Sequence, residues 1–336
     1  IAVNQPLQEQ NIPIPQIGEG DILVRIRAAG ICHSDVHYRA GKSPVRPLPM
    51  TLGHEIAGVV KKTGGRVKGL EVGDRVSLHY LLHCGECIYC RGGNEQFCLQ
   101  GSMLGHYSNG GFAEYIAVPA RNAVPLPDEI PFEHGAIMMC SSSTSFHALR
   151  KARLQAGESV AVFGIGGLGI SAVQLAAIFG ALDVYAVDIN PDKLKLAKKY
   201  GAIPVNAALG DPVAEIRRLN QNKGVDVALE LVGLPETMRQ ALLSLSPMGR
   251  AVIAGLSDQP LQIDTYWELL GKEAEVIGSS DHLLTELPQV IELARRGKLD
   301  LSGVVTRTVP LEADAINHVL DNLEEFGGEI RSVVVP

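Results

Sequence analysis

No stretch of this chain reaches the eighteen or so apolar residues of a membrane-spanning helix. The longest apolar segment, Ser159 to Gly180, is interrupted by glycines, so no membrane partner is expected. No basic cluster exists beyond Lys193 to Lys199, and the formal net charge is −7. That balance speaks against a nucleic-acid surface, and the lysine stretch reads as the solvated face of a helix. Internal repeats and low-complexity tracts are absent, which excludes a solenoid. There is no signal-peptide pattern; because the sequence opens on Ile1 rather than Met, a few starting residues are expected to be missing. Reduced thiols fit a cytoplasmic location.

What is present suits a globular protein. With 336 residues, 46% hydrophobic and 20% charged, two domains are the natural expectation. Up to about Pro127 the sequence shows short strands broken by Gly and Pro: Asp21 to Arg27 alternates apolar and polar residues, and segments at Gly53 to Val60, Asp74 to Leu78 and Ala113 to Val118 follow suit. The style then changes. Ser141 to Ala152 reads as a helix, Ser159 to Gly164 as a buried strand and Ile170 to Phe179 as an apolar helix. Asp183 to Asp188 is a second strand and Pro191 to Tyr200 an amphipathic helix. Strands at Val225 to Glu230 and Arg250 to Ala254 flank a helix at Pro235 to Ser244. Such alternation predicts a doubly wound parallel sheet. It ends near Ser279 to His282; a helix at Leu287 to Arg296 and a strand at Arg331 to Val335 return elsewhere.

Gly164-Ile-Gly166-Gly167-Leu168-Gly169 follows a predicted strand and opens a predicted helix. The first glycine suits a tight turn, the second a close approach to a pyrophosphate, and the last close helix–strand packing. The helix N-terminus adds free N–H groups. Asp188, at the end of the next strand, can accept hydrogen bonds from ribose hydroxyls and would repel a 2′-phosphate, which favours NAD over NADP. The alternative is a structural glycine turn with Asp188 as a helix cap. Lys193 could also reach the ribose, or be solvated.

Six cysteines stand at 32, 84, 87, 90, 98 and 140. Cys84, Cys87, Cys90 and Cys98 are too closely spaced for easy mutual bridging, yet could wrap one cation, a structural zinc, at about 2.3 Å. A cluster of free thiols or an iron–sulfur site is the rival reading. Taken one at a time, Cys32, Cys140 and His54 could each be ordinary core residues.

In combination, Gly30-Ile-Cys32-His33-Ser34-Asp35-Val36-His37, Gly53-His54-Glu55, the thiol quartet, Cys140 and the glycine turn resemble the zinc-containing medium-chain alcohol dehydrogenases, from about Ala28 to Arg331. The resemblance implies an α/β chain: an irregular β, GroES-like catalytic domain (1–141 and 282–336, with a structural-zinc lobe at about 84–98) and a Rossmann NAD-binding domain (142–281). It implies two zinc ions per subunit, one structural and one catalytic. Cys32, His54 and Cys140 would be the three protein ligands of the catalytic zinc, leaving a fourth position for an alcohol oxygen. Polyol and threonine dehydrogenases of this superfamily usually place an acid at the third contact, so Cys140 favours the simple-alcohol branch.

Other roles follow from the same resemblance. Asp35 would hydrogen-bond the far nitrogen of His54, and Glu55 would lie behind the zinc and modulate ligand exchange. Ser34 would take the hydroxyl proton and pass it, through the cofactor ribose, to His37, whose ordinary pKa of about 6.5 suits release to solvent. His33 would contact the pyrophosphate, with Arg331 as its partner. Thr144, Val232, Gly255 and Leu256 would touch the cofactor, and Tyr80, with Ser34, would line the substrate pocket. The expected activity is reversible hydride transfer between a small primary or secondary alcohol (or its carbonyl product) and NAD. A polyol, amino-alcohol or specialised alcohol dehydrogenase is the alternative, and a non-catalytic protein that binds NAD and zinc a remote one. Chain length resembles that of tetrameric members, so a homotetramer is expected, with a homodimer as the alternative.

Overall fold

A computed structural model describes residues 4–43, 45–324 and 330–336. The chain divides into two units. The first comprises Ile1–Cys140, Leu283–Gly297 and Leu301–Pro336, the second Ser141–His282 with Lys298–Asp300.

The first unit is built on a seven-stranded sheet whose hub is Asp21–Ile31. Its alternation places Ile22, Val24 and Ile26 in the core at 0–1% exposure, where each fully buried side chain contributes about 1.5–3 kcal/mol. Along one edge it pairs antiparallel with Glu55–Thr63; along the other it pairs first with Tyr115–Pro119 and then with Arg331–Val335. Residue 30 therefore stands opposite Glu55 on one side and Val333 on the other. This register gathers the chemistry: Cys32 leaves the hub strand to cap the helix His33–Arg39, and His54 enters the neighbouring strand at Glu55. A small lobe, with strands Leu81–Leu82 and Ser102–Met103 and a one-turn helix Ile88–Arg91, carries the thiol quartet.

The second unit is a six-stranded, all-parallel sheet. In chain order its strands are Ser159–Phe163, Asp183–Asp188, Ile203–Asn206, Val225–Glu230, Leu245–Ile253 and Glu275–Gly278. In space they run third, second, first, fourth, fifth, sixth. That order reverses between the first and fourth strands, and a doubly wound sheet binds its ligand at this reversal, beyond the carboxyl ends. The helix that follows the first strand starts at Gly167, not Ile170. Before the helix Ser143–Lys151 the chain makes a wide π turn over Met138–Ser142, so the helical spacing expected from Ser141 begins two residues later.

Candidate active site

In the lobe, Cys84 Sγ lies 3.8 Å from Cys90 and 3.5 Å from Cys98, and Cys87 Sγ lies 3.5 Å from Cys90 and 4.0 Å from Cys98. An ion bonded at 2.3 Å to four tetrahedral sulfurs sets its sulfur–sulfur edges at about 3.8 Å. Four of the six edges thus match, and every cysteine is free of a disulfide. Backbone N–H groups of Glu86 and Cys87 donate to Cys84 and hold its thiol below the ordinary value; N–H groups of Cys90 and Leu99 bring Cys87 to about 6. The donor set fits a zinc-type cation.

The ligand atoms of Cys32, His54, Glu55 and Cys140 lie within 4.8 Å of one another, and all four side chains are buried. Cys32 and Cys140 have their sulfurs 4.0 Å apart. The Cys140 thiol, then the charges of Arg331 and His54, outweigh burial and hold the Cys32 thiol well below the usual range. Burial opposes charge on His54, but Asp35 and Cys32 overcome it and raise the ring to about 10. Two thiols and one imidazole match the donor set of an open zinc site, and the cluster could hold such an ion.

Asp35 lies beside the ring of His54. Its carboxylate is 3.6 Å from His54 Nδ1, an ion-pair distance too long for a hydrogen bond. Its oxygens are engaged by the N–H groups of Cys32 (2.9 Å) and Gly53 (3.2 Å), so Asp35 ties together the two loops that carry Cys32 and His54. Glu55 is buried 3.9 Å from His54 Nε2 and paired to Arg331, itself only 4% exposed. The guanidinium expected at a pyrophosphate is therefore already engaged by an acid. Space for this acid exists because residue 30 is glycine: a Cβ there would overlap the Glu55 carboxylate. Gly30→Ala should push Glu55 out of place and lower turnover at least tenfold with little change in dinucleotide affinity; an unaltered kcat would refute this.

Ser34 Oγ lies 3.7 Å from Cys32 Sγ. His33 and His37 stand partly exposed on the same short helix with rings 5.0 Å apart. Tyr80, expected in a substrate pocket, is buried and packs edge-on against the His54 ring at 5.1 Å, fixing the plane of that ligand.

On the second unit, Gly164 has φ +92°, and a Cβ there would come within 2.5 Å of Val232 Cγ2. A Cβ on Gly169 would overlap the Gly164 carbonyl, whereas one on Gly166 would meet nothing within 4 Å. The turn is thus closed on the protein side and open at Gly166. The helix Gly167–Ile178 has no side-chain cap on its first N–H groups, which fits a phosphate there. Asp188 accepts from Ile165 N–H at 2.7 Å and Asn190 N–H at 2.8 Å, so it also braces the turn. Thr144 is buried on the helix Ser143–Lys151, Lys193 is half-buried, and Leu256 is exposed next to Gly255.

Two family models match the chain: an alcohol dehydrogenase GroES-like domain over residues 18–128 and a zinc-binding dehydrogenase over 167–296. An NAD-dependent alcohol dehydrogenase of Sulfurisphaera tokodaii is 35% identical, across 100% of this chain and 98% of that relative. The chain is a zinc-containing medium-chain dehydrogenase. The fold agrees: the alcohol dehydrogenase of Aeropyrum pernix superposes with TM-score 0.91 at 35% identity, covering 99% of this chain and 98% of that one. The family is broad in chemistry. An L-threonine 3-dehydrogenase of Chromobacterium violaceum is 34% identical over 89% of this chain and 88% of its own. A protein of Sinorhizobium meliloti solved bound to NADP has TM-score 0.89 at 30% identity, covering 97% and 95%. A medium-chain dehydrogenase of this family is an oxidoreductase that uses zinc and a nicotinamide dinucleotide.

The structural roles of three residues of this medium-chain dehydrogenase, Gly30, Glu95 and Glu230, escaped the sequence reading. Gly30 signalled itself as a glycine inside a strand, the mark of a close approach. Glu95, in the lobe, accepts from Leu284 N–H and stands 3.9 Å from buried His79; nothing in its local pattern distinguishes it. Glu230 follows the apolar run Val227-Ala228-Leu229 at the end of its strand, and a buried carboxylate there is the signal.

Proposed function

We propose that this dehydrogenase interconverts small primary or secondary alcohols and their carbonyl products with NAD. It would hold a catalytic zinc at Cys32, His54 and Cys140 and a structural zinc at Cys84, Cys87, Cys90 and Cys98. The observation that carries the reading is one buried cluster of two thiols and an imidazole with a hydroxyl, Ser34, beside it. Zinc, when bound, would supply Lewis acidity that makes a substrate hydroxyl easier to deprotonate, and a bound dinucleotide would supply the hydride acceptor. Ser34 Oγ would accept that proton while passing its own hydroxyl proton, by way of the cofactor ribose, to His37, which is partly exposed on the same helix and would release it to solvent. Tyr80 packs edge-on against the His54 ring, and both thiols, Cys32 and Cys140, are buried.

Asp188 supports NAD over NADP, because a carboxylate at the end of the second strand opposes a 2′-phosphate. Asp188→Ser should raise the KM for NAD about tenfold and shift the NAD/NADP preference at least as much toward NADP. A preference that stays within twofold of wild type counts against this assignment.

The second reading, a threonine or polyol dehydrogenase, draws on the threonine-dehydrogenase relative and on the buried acid, Glu55, within ligand range. Rates for ethanol, 2-butanol, benzyl alcohol, sorbitol and threonine, on protein of measured zinc content, separate the two. Turnover of threonine or sorbitol above the monoalcohols would displace the first reading.

A further inference from the structure

Glu230 is the last residue of the fourth strand, beside the point where strand order reverses, and it is fully buried. One carboxylate oxygen, Oε1, accepts from Val232 N–H (2.9 Å), Gly233 N–H (2.8 Å) and the Thr237 hydroxyl (2.7 Å). The other, Oε2, has no hydrogen-bond partner among the described residues. Its own carbonyl accepts from Ala254 N–H (3.0 Å) and Gly255 N–H (3.1 Å), at the end of the fifth strand. Four backbone donors from two loops and the Thr237 hydroxyl of the helix Pro235–Ser244 therefore converge on this one residue. Burial raises its pKa above the ordinary carboxylate range despite those hydrogen bonds.

The packing around it is equally tight. A Cβ on Gly255 would overlap Gly233 N and come within 2.5 Å of Glu230 Oε2. Val232, oriented by Oε1, fills the space a Cβ on Gly164 would need. Val232, Gly255 and Leu256 carry no polar side-chain atoms, so anything they offer a dinucleotide is backbone and shape. A buried acid without a full set of partners is costly and calls for an explanation that ordinary packing does not supply.

We infer that Glu230 is a positioning residue that fixes the loops ending the fourth and fifth strands for the nicotinamide half of the dinucleotide, without touching it. The inference rests on the dinucleotide reading above. Each half of a doubly wound sheet takes one nucleotide; Asp188, on the second strand, belongs to the adenosine half, and Glu230 to the other.

The test uses full-length, zinc-loaded Glu230→Leu and Glu230→Gln, with NADH titrated by fluorescence and AMP by competition. Glu230→Leu should weaken NADH at least tenfold while AMP stays within twofold, and the KM for dinucleotide should rise with kcat at saturation changed less than threefold. Glu230→Gln, which keeps an acceptor for Val232 and Gly233, should lose only two- to fourfold. Loss of NADH and AMP in parallel would mean a general structural role and overturn the inference, as would NADH affinity within twofold of wild type. If Glu230→Leu does not fold, Glu230→Gln and Thr237→Val decide by the same NADH-against-AMP criterion. A wild-type protein that binds neither NADH nor NADPH fails the dinucleotide reading itself, and the inference falls with it.

Discussion

Cys32→Ala is expected to lower kcat/KM by about 10³- to 10⁴-fold, the several kcal/mol that Lewis-acid assistance contributes. The loss should be selective. Cys32 belongs to the buried cluster with His54 and Cys140, and its sulfur lies 4.0 Å from that of Cys140, whereas the quartet shares no ligand with it. On the two-site proposal, metal analysis should accordingly fall from two zinc ions per subunit to one, with NADH binding unchanged because the glycine turn lies in the other unit. Activity above a tenth of wild type would remove Cys32 from the reaction, and loss of both metals would show that the two sites are not independent.

The second large effect concerns stability. The lobe has little apolar core of its own: Ile88, Phe97 and Leu99 are 73%, 53% and 70% exposed, and the helix Ile88–Arg91 buries no residue. One helical turn is not stable alone in water. A structural zinc contributes on the order of 10 kcal/mol to a small metal-folded module, so the proposed ion at the quartet would be the lobe's chief support. Cys98→Ser should therefore lower Tm by about 5–10 °C, the shift that a few kcal/mol produces in a domain of this size. It should also open residues 84–98 to limited proteolysis. Retention of the wild-type melting curve and protease pattern would show that packing, not metal, holds the lobe.

Much of this architecture is legible in residue order because it is locally encoded. The glycine turn, the thiol spacing and the long apolar strands each state their geometry within a few neighbours. What escaped is what depends on partners. Ile203–Asn206 has four residues, one of them Pro204, and Glu275–Gly278 is an exposed edge strand; pairing, more than pattern, makes both strands. Val305–Pro310 and the helix Ala313–Glu324 were unread for the same reason, since they complete a sheet begun far earlier. At the site, residue types were recognisable but engagements were not. Asp35 spends its oxygens on two backbone amides, and Arg331 on Glu55. Glycine propensity likewise hid the true helix start at Gly167, where uncapped N–H groups matter more than periodicity.

Glu55 and Arg331 are 276 positions apart, and the whole six-stranded sheet is encoded between them. At 5–20 residues per second a ribosome needs roughly 14–55 s to make that interval. Once Cys140 has been made, a nascent chain carries Cys32, His54 and Cys140 but lacks, until Arg331 and the residues after it follow, both the cation that neutralises Glu55 and the strand that closes the hub edge. The parallel sheet can mature as a self-contained body, while the metal-binding cluster waits for the last stretch of translation.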